Sequence, residues 1–347
     1  MKIQKSDLIK KMKPLKAAIG SKMTGNIEGV LFKDNKVFAD NFEYTLAAAF
    51  PCKEDPFVLP KKAIEMIETF PEEKITIMPC DVEVFIESSA GNSKFTTVPA
   101  EKFILSNSID PDECAEANFS GCTLTSMLEL VVYACATDNS VYSGVLIEAA
   151  NGELNVVAMD GYRLSWAKTK QNGDFRAVIP AGTVAKLTSL VNSGNVKIRT
   201  TKTAISIATD TYTIITKQLQ GNFVDYKAAI PKVSTSDLVV KREDLISTLQ
   251  RAQIVTVGNV KTPVIFESAD RGLTIKSFSG TASFDAVIPV ERKDDNPVKI
   301  GLNPRYLLDA LKAFDTDTVH LLYGGEFRPL LVAGEMLSAL ILPVKIR

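Results

Sequence analysis

A single histidine, His320, occurs in 347 residues. That scarcity removes most catalytic arrangements at once, because a Ser-His-Asp triad or a histidine-based metal site would have to use this one residue. It lies in DTVHLLY, an alternating apolar run that reads as a strand. Cysteine is sparse as well. Cys52, Cys80, Cys114, Cys122 and Cys135 are odd in number and form no C-x-x-C pair, which indicates neither zinc nor a disulfide framework. They read as buried thiols. No stretch approaches the roughly 18 apolar residues of a membrane span, and the opening MKIQKSDLIKKMKPL has no apolar run of signal-peptide length. A soluble, cytoplasmic chain is expected. Phosphate-cradling loops of the G-x-x-x-x-G-K-[ST] and G-x-G-x-x-G kinds are missing. No sign of charge is in excess either: 40 Lys+Arg against 41 Asp+Glu gives a net charge of −1. That balance leaves nucleic acid open as a partner, since what matters is whether basic residues gather on one face. No catalytic centre, metal or cofactor is expected.

What the sequence does have is a long repeat, and a chain of this length is too long for one ordinary domain. Amphipathic helix patterns recur at SDLIKKMKPLKAAI from Ser6, TSMLELVVYACAT from Thr125 and EDLISTLQRAQIV from Glu243. Leu8, Met127 and Leu245 fall at the same point of each, 119 and 118 residues apart. A second helix is opened in phase by Pro60, Pro180 and Pro304, where proline's fixed φ and missing N–H cost least. Phe103 in VPAEKFIL and Phe223 in LQGNFVDY, 120 residues apart, mark the ends of the first two units. Between the helices, alternating apolar and polar residues with Asp-Asn, Asn-Gly and Gly-Gly turns read as strand–turn–strand. The expected fold is α+β. Three repeated units, at residues 1–118, 119–235 and 236–347, each pack two helices on antiparallel sheets.

Several segments then resemble one family, the β subunit of bacterial DNA polymerase III, the sliding clamp. AMDGYRLSWA (158–167) is similar to that family's A-x-D-G-x-R-L segment, and GNFVDYKAAIP (221–231) to its G-x-F-P-D-Y motif. LNPRYLLDALKAF (302–314) resembles its N-P-x-Y-L-L-D-A-L helix, and LILPVKIR its closing strand. The resemblance covers nearly the whole chain and is loosest over residues 20–60. It implies a homodimer closed head to tail into a ring. The helices would line a hole around double-stranded DNA, and the ring would tether polymerase and other replication and repair proteins. A divergent paralogue serving another polymerase, or a monomeric peptide-binding adaptor that does not encircle DNA, would share the fold.

Sequence-blind phosphate contact suits sliding. The candidate DNA-facing cations are Lys10, Lys11, Lys13 and Lys61 of the first unit, Lys186 of the second, and Arg242, Arg251 and Arg305 of the third. The family's DNA-contacting arginine after the first helix has Lys22 as its nearest stand-in. The resemblance further implies a pocket for short peptides with apolar anchors, bound by polymerase and clamp loader. Its matched positions are Tyr142, Met159, Gly161, Tyr162, Leu164, Val224, Ala229, Leu340, Leu342, Pro343 and Val344, with Asn303, Tyr306 and Pro329 at a neighbouring subsite. Leu164 and Leu340 are also explained as plain core. Arg163 and Lys345 suggest a surface edge beside Tyr162 and Val344. Met159, Tyr162 and Val224 stand where many members have Thr, His and Pro. Phe95, Ile254 and Val255 match the family's subunit contact.

Overall fold

The computed structural model describes residues 1–20, 28–71, 73–109, 114–191, 193–256, 262–269 and 272–346. The chain opens with β1 (Lys2–Gln4), α1 (Lys5–Lys16), β2 (Gly29–Lys33), β3 (Lys36–Asp40), β4 (Tyr44–Ala49), β5 (Phe57–Pro60), α2 (Lys61–Thr69), β6 (Lys74–Cys80), β7 (Glu83–Ser88) and β8 (Gly91–Thr96). The same order returns as β9 (Ala115–Ser120), α3 (Gly121–Val131), β10 (Gly144–Ala150), β11 (Glu153–Met159), β12 (Arg163–Lys170), β13 (Phe175–Pro180), α4 (Ala181–Leu190), β14 (Asn195–Thr200), β15 (Ala204–Ala208) and β16 (Tyr212–Lys217). After a short α5 (Tyr226–Ala229) it runs again. The third pass is β17 (Ser236–Lys241), α6 (Arg242–Thr256), β18 (Val264–Ala269), β19 (Gly272–Phe278), β20 (Ser283–Ile288), β21 (Val290–Arg292), β22 (Lys299–Leu302), α7 (Pro304–Ala313), β23 (Thr318–Tyr323), β24 (Leu330–Ala333) and β25 (Leu337–Ile341). Each pass is one strand, a helix, four strands, a helix and three strands, with the short β21 added in the third.

Local chemistry explains the helices. In α1, Leu8, Met12 and Leu15 are buried at helical spacing, while Lys10 and Lys13 stay on the solvent side. Pro60 is the N-cap of α2 and Pro180 ends the strand before α4. Pro304 occupies the first turn of α7, where Asn303 caps the helix by accepting from the Arg305 N–H at 3.0 Å.

Contacts divide the chain into two compact units. The first comprises Met1–Thr125 with Gly182–Gln218. It holds an eight-stranded sheet ordered β5-β2-β3-β4-β16-β15-β14-β9 and a four-stranded sheet β1-β6-β7-β8. The second comprises Ser126–Ala181 with Leu219–Arg347. It holds a nine-stranded sheet β13-β10-β11-β12-β25-β24-β23-β17-β21 and a four-stranded sheet β20-β19-β18-β22. The pairings are antiparallel, so the fold is α+β as the sequence pattern requires. Two pairings carry a sheet from one pass of the pattern into the next: β4 on β16, with Tyr212 opposite Ala48, and β12 on β25, with Leu164 opposite Leu340. Each such junction merges the core on either side of it. That is why the compact units cut through α3 instead of following the repeat.

Of the cysteines, Cys135 is buried, Cys52 and Cys114 are half-buried, and Cys80 and Cys122 are exposed. Cys80 closes β6 at a turn, and Cys122 sits on the outer face of the first turn of α3, where neither meets a core. Among the described residues no helix is long and apolar enough to cross a membrane.

Candidate functional site

A buried polar arrangement in the second unit grows from the turn between β11 and β12. Asp160 accepts from the backbone N–H groups of Tyr162 and Arg163 at 2.9 and 3.0 Å, and Gly161 sits at φ +88°. That left-handed conformation suits glycine, and it lets the chain reverse in one step. The reversal sends Arg163 inward and Tyr162 outward. The Arg163 side chain is only 11% exposed. Its Nε donates to Asp160 Oδ2 at 3.0 Å and its Nη1 to Asp309 Oδ2, on α7, at 2.7 Å. Its guanidinium lies 4.6 Å from the centre of the Tyr306 ring and 5.5 Å from that of Tyr133. Arg163 is therefore an internal tie and not the surface edge that its position in the sequence suggests. Lys345 is exposed as expected. Burial pushes the Tyr133 hydroxyl and the Cys135 thiol beside this tie up to about 12 each. Tyr162, by contrast, is 62% exposed and stacks on Tyr306 at 6.4 Å.

Beneath the turn lies one apolar cluster. Val141, Leu146, Val157, Leu164, Val178, Phe223, Tyr226, Leu331 and Leu340 are its buried members. Tyr142, Met159, Trp166 and Leu342 pack against it half-buried. Five of the expected peptide-pocket positions thus share a cluster. Leu164 and Leu340 form its buried floor, as core packing also required, while Tyr142, Met159 and Leu342 rise from it toward solvent. Beyond β25 the chain is pinned twice: Leu342 N–H donates to the Tyr162 carbonyl at 2.9 Å and Val344 N–H to the Gly301 carbonyl at 2.8 Å. A Cβ on Gly301 would sit 2.5 Å from the Val344 oxygen, so this approach requires glycine. Val224 and Ala229 are exposed on and before α5, whose N-cap Asp225 accepts from Lys227 and Ala228. Pro329 and Pro343 are half-buried, and Asn303 is engaged as the α7 cap.

Sequence reasoning missed the groups that hold this surface in place. Tyr226, buried, donates to Glu148 Oε2 at 2.8 Å, and Arg176 pairs with Glu148 at 2.7 Å. Trp166 meets Tyr226 edge-on at 5.8 Å and donates to Asn155 at 2.8 Å. Burial first, and the adjoining Glu148 second, push the Tyr226 hydroxyl upward, so it remains a donor. The Asp-Tyr pair of the 221–231 segment was the available signal. The arrangement contains a rigid apolar floor, an exposed aromatic ring and no paired nucleophile and base. Such a surface can hold an apolar side chain against the floor and a ring beside it.

The candidate cations are not equivalent. Lys10, Lys13, Arg251 and Arg305 are exposed on α1, α6 and α7, and Lys61 is half-buried at the start of α2. Lys11 donates to the Ala49 carbonyl at 2.6 Å, and Arg242 to the Thr316 carbonyl at 2.8 Å while pairing with Glu243. Lys186 does not present an open charge. It is buried, its ammonium donates to the Pro14 carbonyl at 2.8 Å, and burial lowers its pKa. Lys22 lies outside the described residues. Phe95 lies half-buried on β8, the outer strand of its sheet. In the other unit Ile254 is 74% exposed and Val255 half-buried at the end of α6, and β20 is an outer strand that exposes Val287.

Comparison with known proteins places this architecture. Residues 119–225 match the central domain of the DNA polymerase III beta subunit, and residues 227–345 match its C-terminal domain. The beta sliding clamp of Rickettsia felis is 27% identical over 293 residues, 77% of this chain and 76% of that protein. That of Rickettsia bellii is 24% identical over 291 residues, with the same coverage. The crystal structure of the DNA polymerase III subunit beta from Pseudomonas aeruginosa superposes with a TM-score of 0.91 at 19% identity, covering 100% of both chains. The sliding clamp of Bacillus subtilis superposes at 0.88 and 20% identity, covering 100% of this chain and 99% of that one. The chain belongs to the DNA polymerase III beta subunit family, the bacterial sliding clamps.

Proposed function

We propose that this DNA sliding clamp works as a ring of two copies joined head to tail around double-stranded DNA, in which each chain contributes three clamp domains at 1–118, 119–235 and 236–347. The observation that carries the reading is the strand–helix–four strands–helix–three strands pattern run three times in one chain, together with the likeness to clamps over its whole length. The outer strands β8 and β20 leave unpaired backbone groups at two edges. Pairing them between subunits would remove an aggregation hazard, with Phe95, Ile254 and Val255 closing the joint. The exposed cations Lys10, Lys13, Arg251 and Arg305, with Lys61, would meet phosphates without reading sequence. Lys186 falls outside this set because its ammonium is spent on Pro14.

The surface of Tyr142, Met159, Tyr162 and Leu342 above Leu164 and Leu340 would take an apolar-anchored peptide of a polymerase or loader. Gly161 and Arg163 shape its turn. Val224, Ala229, Pro343 and Val344 form its rim, with Asn303, Tyr306 and Pro329 beside it. The role is tethering, without catalysis, in the cytoplasm.

Sedimentation velocity tests the ring joint. The wild-type chain is expected to run as a dimer and Ile254→Asp as a monomer with unchanged circular dichroism. A monomeric wild type would leave a peptide-binding adaptor in place of the ring. For the peptide surface, Tyr162→Ala should weaken binding of a clamp-binding peptide, followed through Trp166 emission, while the dimer persists. Unchanged affinity would remove the site.

A further inference from the structure

Two grooves lie beside the first helices of the first two passes of the pattern, and three equivalent positions of those helices line them. Leu8 and Met127 are in phase. Asp7, Lys10 and Lys11 on α1 therefore correspond to Ser126, Glu129 and Leu130 on α3, and these triplets line the two grooves. Their charge is opposite. The groove of the first unit, about 880 Å³, has Lys2, Lys10, Lys11 and Lys53 on its walls against Asp7 and Glu54. The groove of the second, about 930 Å³, has Glu129, Asp237, Asp315 and Glu335, with His320 as its one basic lining residue. His320 and Lys293 both pair with Asp237, at 2.9 and 2.5 Å. Among the described residues Glu129, Asp315 and Glu335 have no cation within ion-pair distance. Leu130, Phe314, Leu322, Ala333, Met336 and Leu337 give the lining its apolar part, and Ser126, Thr316 and Thr318 add hydroxyls. Met336 is 45% exposed there, and its unbranched thioether adapts to whatever packs on it.

We propose that the acidic groove of the second unit is a second docking site, and that its occupant is a basic segment of a partner protein carrying an apolar anchor. Charge decides the class of occupant. Three unpaired carboxylates around an apolar wall repel phosphate and an acidic peptide, and attract lysine or arginine side chains flanking a buried aliphatic or aromatic group. The carboxylates do not converge on one point: among the described residues no group of three or more His, Cys, Asp or Glu is placed to hold a metal ion. None of the residues expected at the apolar peptide surface lines this groove, so the two sites can be filled together and by chemically opposite peptides. The charge inverts at one repeat position, Lys10 in one unit and Glu129 in the other.

The test uses the full chain and three fluorescein-labelled, amidated probe peptides: lysines flanking two leucines, the same with serine in place of leucine, and the same with glutamate in place of lysine. Anisotropy should show saturable binding of the lysine–leucine probe, weakening with salt, and at least about tenfold weaker binding of the other two. The double variant Glu129→Lys/Glu335→Lys, at two exposed positions, should lose about tenfold or more in affinity for that probe. Reversal of an exposed carboxylate elsewhere, Glu87→Lys on β7, should change it little. A clamp-binding peptide should not compete. No binding, equal binding of the serine probe, an equal loss from Glu87→Lys, or competition would each overturn the proposal. So would a change of oligomeric state in the double variant, which would identify a second copy of this chain as the occupant.

Discussion

Replacing Arg163 by alanine should cost the second unit far more than the loss of a surface charge. The guanidinium donates to two carboxylates, Asp160, 14% exposed, and Asp309, 29% exposed, and lies against the Tyr306 ring. Charge-assisted hydrogen bonds contribute roughly 1.5–3 kcal/mol each, and stacking on the ring adds roughly 0.5–1 kcal/mol. Asp309 can recover part of its hydration once the cation is gone, so its bond counts at the low end. Asp160 cannot retreat, because it also holds the 160–163 turn through two backbone N–H groups. A net loss of about 3 kcal/mol follows, the lower edge of what breaking a buried pair costs. Trp166 lies three residues along the same strand, and it is the one tryptophan of the chain, so its emission reports unfolding of this unit. With a urea slope of about 3 kcal/mol per molar for a unit of this size, the midpoint should fall by about 1 M. The loss should shrink by about 1 kcal/mol or more in an Asp309→Asn background, since the two groups are coupled. A shift under about 0.2 M would mean that the guanidinium is solvated like any surface arginine and that the account of this turn is wrong.

Two further outcomes follow from the same unit. The Cys135 thiol, buried and pushed up to about 12, should resist alkylation at pH 8 in the native protein, while exposed Cys80 reacts. Comparable rates at the two positions, read by peptide mass spectrometry, would contradict its burial. Asp237 gives a pH dependence. Burial would raise its carboxyl, but hydrogen bonds from Lys293 and His320 outweigh that and hold it below the ordinary carboxylate range. The unfolded chain therefore takes up the proton first, so this group stabilises above about pH 4 and loses its contribution as pH falls further. Urea midpoints of the wild type should drop more steeply than those of Asp237→Asn on the acid side, and parallel curves would refute the assignment.

What the sequence reveals and what it hides separate by distance along the chain. The helices and their proline starts are local patterns, so Leu8, Met127 and Leu245 mark the repeat without any structure. The junctions β4–β16 and β12–β25 depend on register between strands far apart, which no local pattern encodes. Arg163 reads as an edge residue because its partner Asp309 is 146 positions away. Lys186 reads as an open cation because its acceptor, the Pro14 carbonyl, is 172 positions away. The apolar peptide surface was legible as separate motifs. What tethers it, Glu148 under Tyr226 and the Gly301 carbonyl under Val344, was not, because a carboxylate on a strand and a glycine in a strand carry no signal of their partner.

Topological retention tests the central claim most directly. The protein is threaded at high concentration onto a linear duplex biotinylated at both ends, streptavidin is added to cap the ends or is withheld, and the DNA is separated from unbound protein at moderate salt. A closed ring that slides should stay on the capped duplex and run off the open one. Equal retention on both, or loss from both, would contradict a ring around DNA.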